Sequence, residues 1–123
     1  MIIDDNQIDR YITSRIIKKS SFGKTVIECS AAGDALEYLI ANRDNKESLP
    51  EVIFVDIYMP IMSGFEFMEA YAKLPDTVKT HSKAFIISST IDANDISRAK
   101  NNPDIVEFHQ KPVTNEFLSS IEA

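Results

Sequence analysis

The chain is predicted to be an α/β protein: a doubly wound, five-stranded parallel sheet with helices on both faces. Short runs rich in Ile, Val or Phe (Met1-Ile2-Ile3, Val52-Ile53-Phe54-Val55, Phe85-Ile86-Ile87 and Ile105-Val106-Glu107-Phe108) alternate with segments of helical periodicity. The run from Val52 to Asp56 is nearly continuous in apolar residues, as expected of a strand covered on both faces. Polar residues follow the runs: Asp4-Asp5, Asp56, Ser89 and Lys111-Pro112. Strands of a parallel sheet point the same way, so these residues would meet along one edge, where such sheets place their ligands.

Taken in order, the first strand is only Met1 to Ile3, short for a central strand. Ile8, Ile12 and Ile16, with Tyr11 and Ile17 alongside, recur at helical spacing through Lys19, and Ser20 to Lys24, containing Gly23, breaks that helix. Thr25 to Ser30 reads as a strand, Asp34 to Ala41 as a helix and Asn42 to Pro50 as a polar loop. After the strand ending at Asp56 come a Met59-Pro60 turn, Gly64 and a helix from Phe65 to Lys73. Leu74 to Lys83 is a polar connection, Ala84 to Ser88 a strand, and Asp92 to Lys100 a helix with Asp92 or Asn94 as cap. Asn101-Asn102-Pro103 ends it, Ile105 to Phe108 is the last strand and Asn115 to Ile121 the last helix. Five strands alternating with five helices call for right-handed crossovers. A flavodoxin-like strand order, 2-1-3-4-5, would set the ends of the first and third strands side by side, making neighbours of Asp4-Asp5 and Asp56.

At 123 residues, 44% hydrophobic and 26% charged, the chain suits one globular domain, residues 1–123. A net charge of −6 without a compensating Lys/Arg cluster argues against binding nucleic acid or anionic lipid. No apolar run reaches the roughly 20 residues of a membrane span, and no signal-peptide pattern is present, so a cytoplasmic location is expected. The single cysteine, Cys29, reads as a small buried strand residue, and His81 and His109 as ordinary residues.

Three carboxylates at one sheet edge repel and raise one another's pKa unless a positive charge intervenes. A hard cation with oxygen ligands resolves this, and Mg²⁺ is usually held by one or two carboxylates plus water and phosphate oxygens. Such an ion can neutralise a phosphoryl group passing to a carboxylate nucleophile. Lys111 would give the phosphoryl oxygens a positive partner and Ser89 a hydroxyl donor. Singly, each residue has a plainer reading: the acid pair as a turn or helix cap, Asp56 as a turn former, Ser89 as a cap, Lys-Pro as loop chemistry. The signal lies in their order, each at a strand's end.

The chain resembles the receiver domain of two-component response regulators over essentially its whole length. The matching segments are Ile3-Asp4-Asp5-Asn6, Val55-Asp56-Ile57-Tyr58-Met59-Pro60-Ile61-Met62-Ser63-Gly64, Ile87-Ser88-Ser89-Thr90 and Phe108-His109-Gln110-Lys111-Pro112. The resemblance implies that Asp56 is the phospho-acceptor, that Asp5 ligates Mg²⁺ directly with Asp4 assisting through water, and that the Tyr58 backbone carbonyl is a further ligand. Ser89 and Lys111 would be the hydroxyl and lysine of the set, the Lys111-Pro112 bond would be cis, and Phe108 would be the aromatic switch. A plain core phenylalanine is an equal reading of Phe108. The implied donor is a sensor histidine kinase or histidine phosphotransfer domain, and the output a protein contact: a downstream effector, a missing effector domain, or a homodimer through the fourth helix, fifth strand and fifth helix. The chain ends soon after its last helix, which fits either a stand-alone receiver or a piece of a longer regulator.

Two positions depart from the usual pattern. Tyr58 and Ile91 fall where the family tunes attack of water on the acyl phosphate, and neither is an acid or amide, so a long-lived phosphoryl group is expected. Three other functions compete. A Mg²⁺-dependent aspartyl phosphatase of the haloacid dehalogenase type wants a second acid where Tyr58 stands. A flavodoxin needs a hydroxyl- and glycine-rich loop where Asp4-Asp5 stands. A receiver-like interaction module that is never phosphorylated would not need the full acceptor set.

Overall fold

The computed structural model describes residues 1–122. Its strands are β1 (Ile2–Ile3), β2 (Glu28–Cys29), β3 (Val52–Asp56), β4 (Lys83–Ser88) and β5 (Ile105–Gln110). Its helices are α1 (Gln7–Lys19), α2 (Ala32–Ala41), α3 (Gly64–Tyr71), α4 (Asp76–Lys79), α5 (Ala93–Lys100) and α6 (Asn115–Glu122). All strand pairs are parallel, in the order β2-β1-β3-β4-β5. The expected fold class and strand order are therefore observed.

Alternation along the strands sorts the core into two layers. Ile3, Ile53, Val55, Ala84 and Ile86 face one side, where α2 to α5 supply Ala35, Leu39, Phe67, Met68, Val78 and Ala99. Ile2, Phe54, Phe85 and Ile87 face the other, covered by Ile17 of α1 and by Phe117 and Leu118 of α6. The second layer is aromatic at its centre: Phe85 and Phe117 meet edge to face at 5.7 Å, and Phe54 lies 5.9 and 6.2 Å from them.

Three local expectations need correction. The segment between α3 and β4 is not all loop: Pro75 precedes a one-turn helix, α4, pinned by buried Val78. Four residues are too few to generate a visible period. β2 has two residues because it is an edge strand paired only with the two-residue β1. On α1 the isoleucine spacing marks a helix, but Ile8, Tyr11 and Ile12 are exposed while Thr13, Ser14 and Ile17 are buried. The helix ends at Lys19, with the break at Ser20 to Lys24 where it was expected, and Ser20 is the cap. Ser21, at φ 58°, takes the left-handed position; its N–H donates to the Lys18 carbonyl and that of Phe22 to the Ile17 carbonyl. This is a Schellman stop with serine where glycine is usual.

Holding a side chain in that conformation costs about 1 kcal/mol. Ser21→Gly is expected to raise stability by about 0.5–1 kcal/mol, read as a higher urea midpoint at unchanged slope.

Candidate functional site

The register of the sheet assembles the site. Ile3 pairs with Val55, so Asp4 and Asp56 leave the sheet side by side. Asp56 itself lies opposite Ile87, and Ser88 opposite Gln110, so Ser89 and Lys111 emerge together next door. The Lys111 N–H donates to the Ser88 carbonyl at 2.7 Å, fastening the last loop to the end of β4. The Lys111-Pro112 bond is cis, as expected.

The helix starts fix the loops between these points. Asn6 caps α1, accepting from the Asp9 N–H at 3.0 Å. Ser63 and Glu66 form a reciprocal capping box at the start of α3. Between Asp56 and that box, Met62 N–H donates to the Pro60 carbonyl at 2.7 Å across Ile61, whose φ is 71°. A β-branched residue with positive φ is strained, by about 1–3 kcal/mol. Gly64 is required by contact: a Cβ there would lie 2.3 Å from the Asp56 carbonyl oxygen and 3.0 Å from the Ile57 Cα. Its N–H meanwhile donates to the Ile57 carbonyl at 2.8 Å. The glycine of the Asp-x-x-Met-Pro-x-x-x-Gly stretch thus lets α3 press against the backbone that carries Asp56.

Lys111 is the centre of the cluster. Its Nζ lies 2.6 Å from Asp4 Oδ2, 3.0 Å from Asp9 Oδ2 and 3.3 Å from Asp56 Oδ1. Asp4 is wholly buried, its Oδ1 accepting from the Asn6 N–H and its backbone carbonyl from Arg10 Nη1. Burial lowers the Lys111 pKa, but hydrogen bonds to Asp4 and Asp9 and the charge of Asp56 outweigh this and hold it above the ordinary lysine value. Asp56 moves the other way for an acid. Burial pushes it from 3.8 to about 6; the Lys111 charge opposes this, Asp4 reinforces it, and hydrogen bonds from Lys111 and the Ile57 N–H oppose it further.

Asp4, Asp5 and Asp56 each offer a carboxylate oxygen within 4.8 Å of the others. Opposite ligands of an octahedral Mg²⁺ stand about 4 Å apart, twice the metal–oxygen distance, so a small inward adjustment would close the group on an ion. Hard oxygen donors in excess of positive charge, one of them raised in pKa, fit such a cation. The residues singled out in the sequence therefore converge, with two qualifications of position. Ser89 is exposed beyond β4, while its neighbour Ser88 is the buried hydroxyl, accepting from the Thr90 N–H at 3.2 Å. Phe108 is partly buried against the α2–α5 layer and lines an open cleft of about 420 Å³ between α5 and β5.

Sequence reasoning missed two contacts. Asp9 joins Lys111, and its position five residues after Asp4, one turn into α1, was the available signal. Tyr58, exposed at the site's rim, donates its hydroxyl to Asp95 in the first turn of α5. Nothing local in the sequence pairs residues 37 positions apart.

Folding raises the Asp56 pKa, so the folded chain holds that proton more tightly than the unfolded chain between pH 3.8 and about 6. Stability from this group is greatest below 3.8, falls as pH rises through the window and is level above it. At about 1.4 kcal/mol per pH unit the drop is roughly 2–3 kcal/mol. In metal-free buffer, Asp56→Asn should therefore exceed wild type in urea stability by roughly 2 kcal/mol at neutral pH and match it near pH 4. Equal pH profiles for the two proteins would refute the assignment.

Comparison with known proteins bears on the family and the fold. The profile of the family described as "Response regulator receiver domain" matches residues 1–121. Among curated proteins, the chain is 27% identical to the sensor histidine kinase CheAY of Helicobacter pylori, covering 98% of this chain and 14% of that one. It is 26% identical to the two-component response regulator ORR1 of Oryza sativa subsp. japonica, covering 98% and 52% respectively. The chain thus spans about half or less of those relatives' length. A solved response regulator receiver protein from Dyadobacter fermentans superposes with TM-score 0.87 at 33% identity, over 98% of this chain and 91% of that one. A two-component response regulator from Cytophaga hutchinsonii, at 22% identity, shares the fold with TM-score 0.90 over 98% and 90%.

Proposed function

Because the chain belongs to the response regulator receiver family, we propose that residues 1–123 are one receiver domain that accepts a phosphoryl group on Asp56 and switches a protein-binding surface. Receiver domains are signalling domains of two-component systems that bind Mg²⁺ at an acidic cluster. The observation carrying the reading is the single cluster in which Lys111 reaches Asp4 and Asp56 while Asp5 completes a cation-sized group.

The donor in this reading is a phosphohistidine on a sensor kinase or phosphotransfer domain. An Asp56 carboxylate oxygen attacks phosphorus, the O–P bond forms as the P–N bond breaks, and the electron pair leaves with the imidazole. Asp5, Asp56 and the Tyr58 carbonyl would hold Mg²⁺, with Asp4 assisting through water, and the ion would supply charge neutralisation for the phosphoryl oxygens. Lys111 transfers a hydrogen bond from the carboxylates to a phosphoryl oxygen, which gives the new dianion a fixed positive partner. The exposed Ser89 hydroxyl turns inward to donate to another oxygen, drawing the start of α5 with it.

α5 is suited to being the moving part. Of its residues only Ala99 is buried, and its ties to the body include the Tyr58–Asp95 bond and Arg98 over the Phe65 ring at 4.4 Å. A weakly packed helix held by a few polar contacts is readily shifted between two positions. The cleft beside Phe108 gives that ring room to follow, and the face of α5, β5 and α6 is the surface offered to an effector or to a second copy. Chemistry of the haloacid dehalogenase type is disfavoured, because Tyr58 occupies the second-acid position with its hydroxyl engaged by Asp95.

Incubation with Mg²⁺ and acetyl phosphate, followed by intact-mass measurement, should add one phosphoryl group to wild type and none to Asp56→Asn. Equal labelling of both proteins would overturn the acceptor assignment. The phosphoryl group should be long-lived, since Tyr58 and Ile91 provide no acid or amide to orient water. Tyr58→Asn should shorten its lifetime by roughly an order of magnitude, a barrier change of about 1.4 kcal/mol. A wild-type half-life of seconds would contradict this.

A further inference from the structure

Lys111 has three N–H donors and meets three carboxylates, but the three are not equivalent. Asp4 and Asp56 belong to the group able to surround a cation, and Asp9 does not. An ammonium and a divalent cation therefore compete for the same oxygens on Asp4 and Asp56. Asp9 alone offers Lys111 a negative partner that a cation in the cluster would leave free. The Asp9 side chain is anchored for this task. It sits in the first turn of α1, its backbone N–H held by Asn6 Oδ1 at 3.0 Å, and its carboxylate reaches 102 residues along the chain to Lys111. A first-turn acid complementing the helix dipole would have no need to turn toward that ammonium.

We propose that Asp9 is a positioning residue: as a carboxylate outside the cation group, it gives the ammonium, now 2.6 Å from Asp4 and 3.3 Å from Asp56, a partner to shift onto and so lets those oxygens pass to the divalent cation. When a cation enters, the ammonium is repelled from the shared oxygens and rests on Asp9, still at the rim of the site. Without Asp9 its only strong partners are the two carboxylates that the cation needs, and the two positive charges contend directly. The inference takes from the receiver reading only the assignment of the cation to this cluster; it does not depend on phosphoryl transfer.

The test is a double-mutant cycle on Mg²⁺ affinity, measured by calorimetry and by displacement of Mn²⁺ followed by electron paramagnetic resonance. Asp9→Asn should weaken Mg²⁺ binding by roughly three- to tenfold, in the range of coupled neighbours, and Asp9→Glu should restore most of it. In a Lys111→Met background the same Asp9→Asn change should have no effect, because the group through which Asp9 acts is gone. Lys111→Gln serves as the second background if the methionine variant does not fold, judged by circular dichroism. An equal loss in both backgrounds would mean that Asp9 acts by its charge on the cation directly, and no loss in either would mean that it does not act at all; both results overturn the proposal. Acetyl phosphate labelling of the same samples separates the two readings. A wild type that binds Mg²⁺ with the expected coupling but takes no label sinks the receiver mechanism alone. A labelled wild type without coupling sinks the role of Asp9 alone.

Discussion

The carboxyl edge of this sheet collects Asp4, Asp5 and Asp56, with Asp9 one turn into α1 beside them, and one ammonium from the far end of the chain meets three of the four. Unit charges about 4 Å apart interact by roughly 4 kcal/mol in surroundings of intermediate polarity, so the convergence would be unfavourable without Lys111. The lysine cannot stray, because its own N–H is bound to the end of β4. The sheet register, the stop of β5 and the cluster thus constrain one another. Asp56 remains raised in pKa chiefly because it is buried, with Asp4 adding to the rise, and three carboxylates around one ammonium leave a net negative charge. That residual negative charge is what makes the edge receptive to a cation.

The two faces of the sheet contribute unequally. The layer under α1 and α6 is a tight aromatic contact of Phe54, Phe85 and Phe117, with His109 stacked on Phe117 at 3.8 Å. The other layer is broader, but at α5 it thins to one buried alanine and an open cleft. A rigid side beside a loosely attached helix is the architecture expected of a domain that reports a chemical event at its edge as a change of surface.

Most of this was legible in the sequence, for physical reasons that also mark where legibility ended. A buried strand such as Val52–Asp56 must be apolar throughout, so its limits were read correctly. Residues such as Asp4, Asp56 and Lys111 stand out because polar groups directly after such strands can only lie at the edge. The one-turn α4 was missed, since four residues carry no period. The stop of α1 falls in the expected segment, Ser20 to Lys24, but the residue that takes the left-handed conformation there is Ser21, which carries no glycine signal. The outward Ile8, Tyr11 and Ile12 show that helical spacing reveals a helix without revealing which side is covered. Asp9–Lys111 and Tyr58–Asp95 depend on distances between remote segments, and no local pattern encodes those.

The contact at Gly64 divides the loop after Asp56 into a part that cannot vary and a part that can. With no space for even one carbon against the Asp56 backbone, substitutions at that end would disturb the acceptor's own support. Tyr58 in that loop and Ile91 in the connection before α5 both project into solvent, where exchange of one side chain for another disturbs little packing, although at Tyr58 it also removes the bond to Asp95. Under the proposed mechanism, the duration of the signal is therefore adjustable at such exposed positions without disturbing the packing that supports the acceptor. Relatives built on this frame could diverge in timing by many increments while their folding and their acceptor chemistry stayed the same.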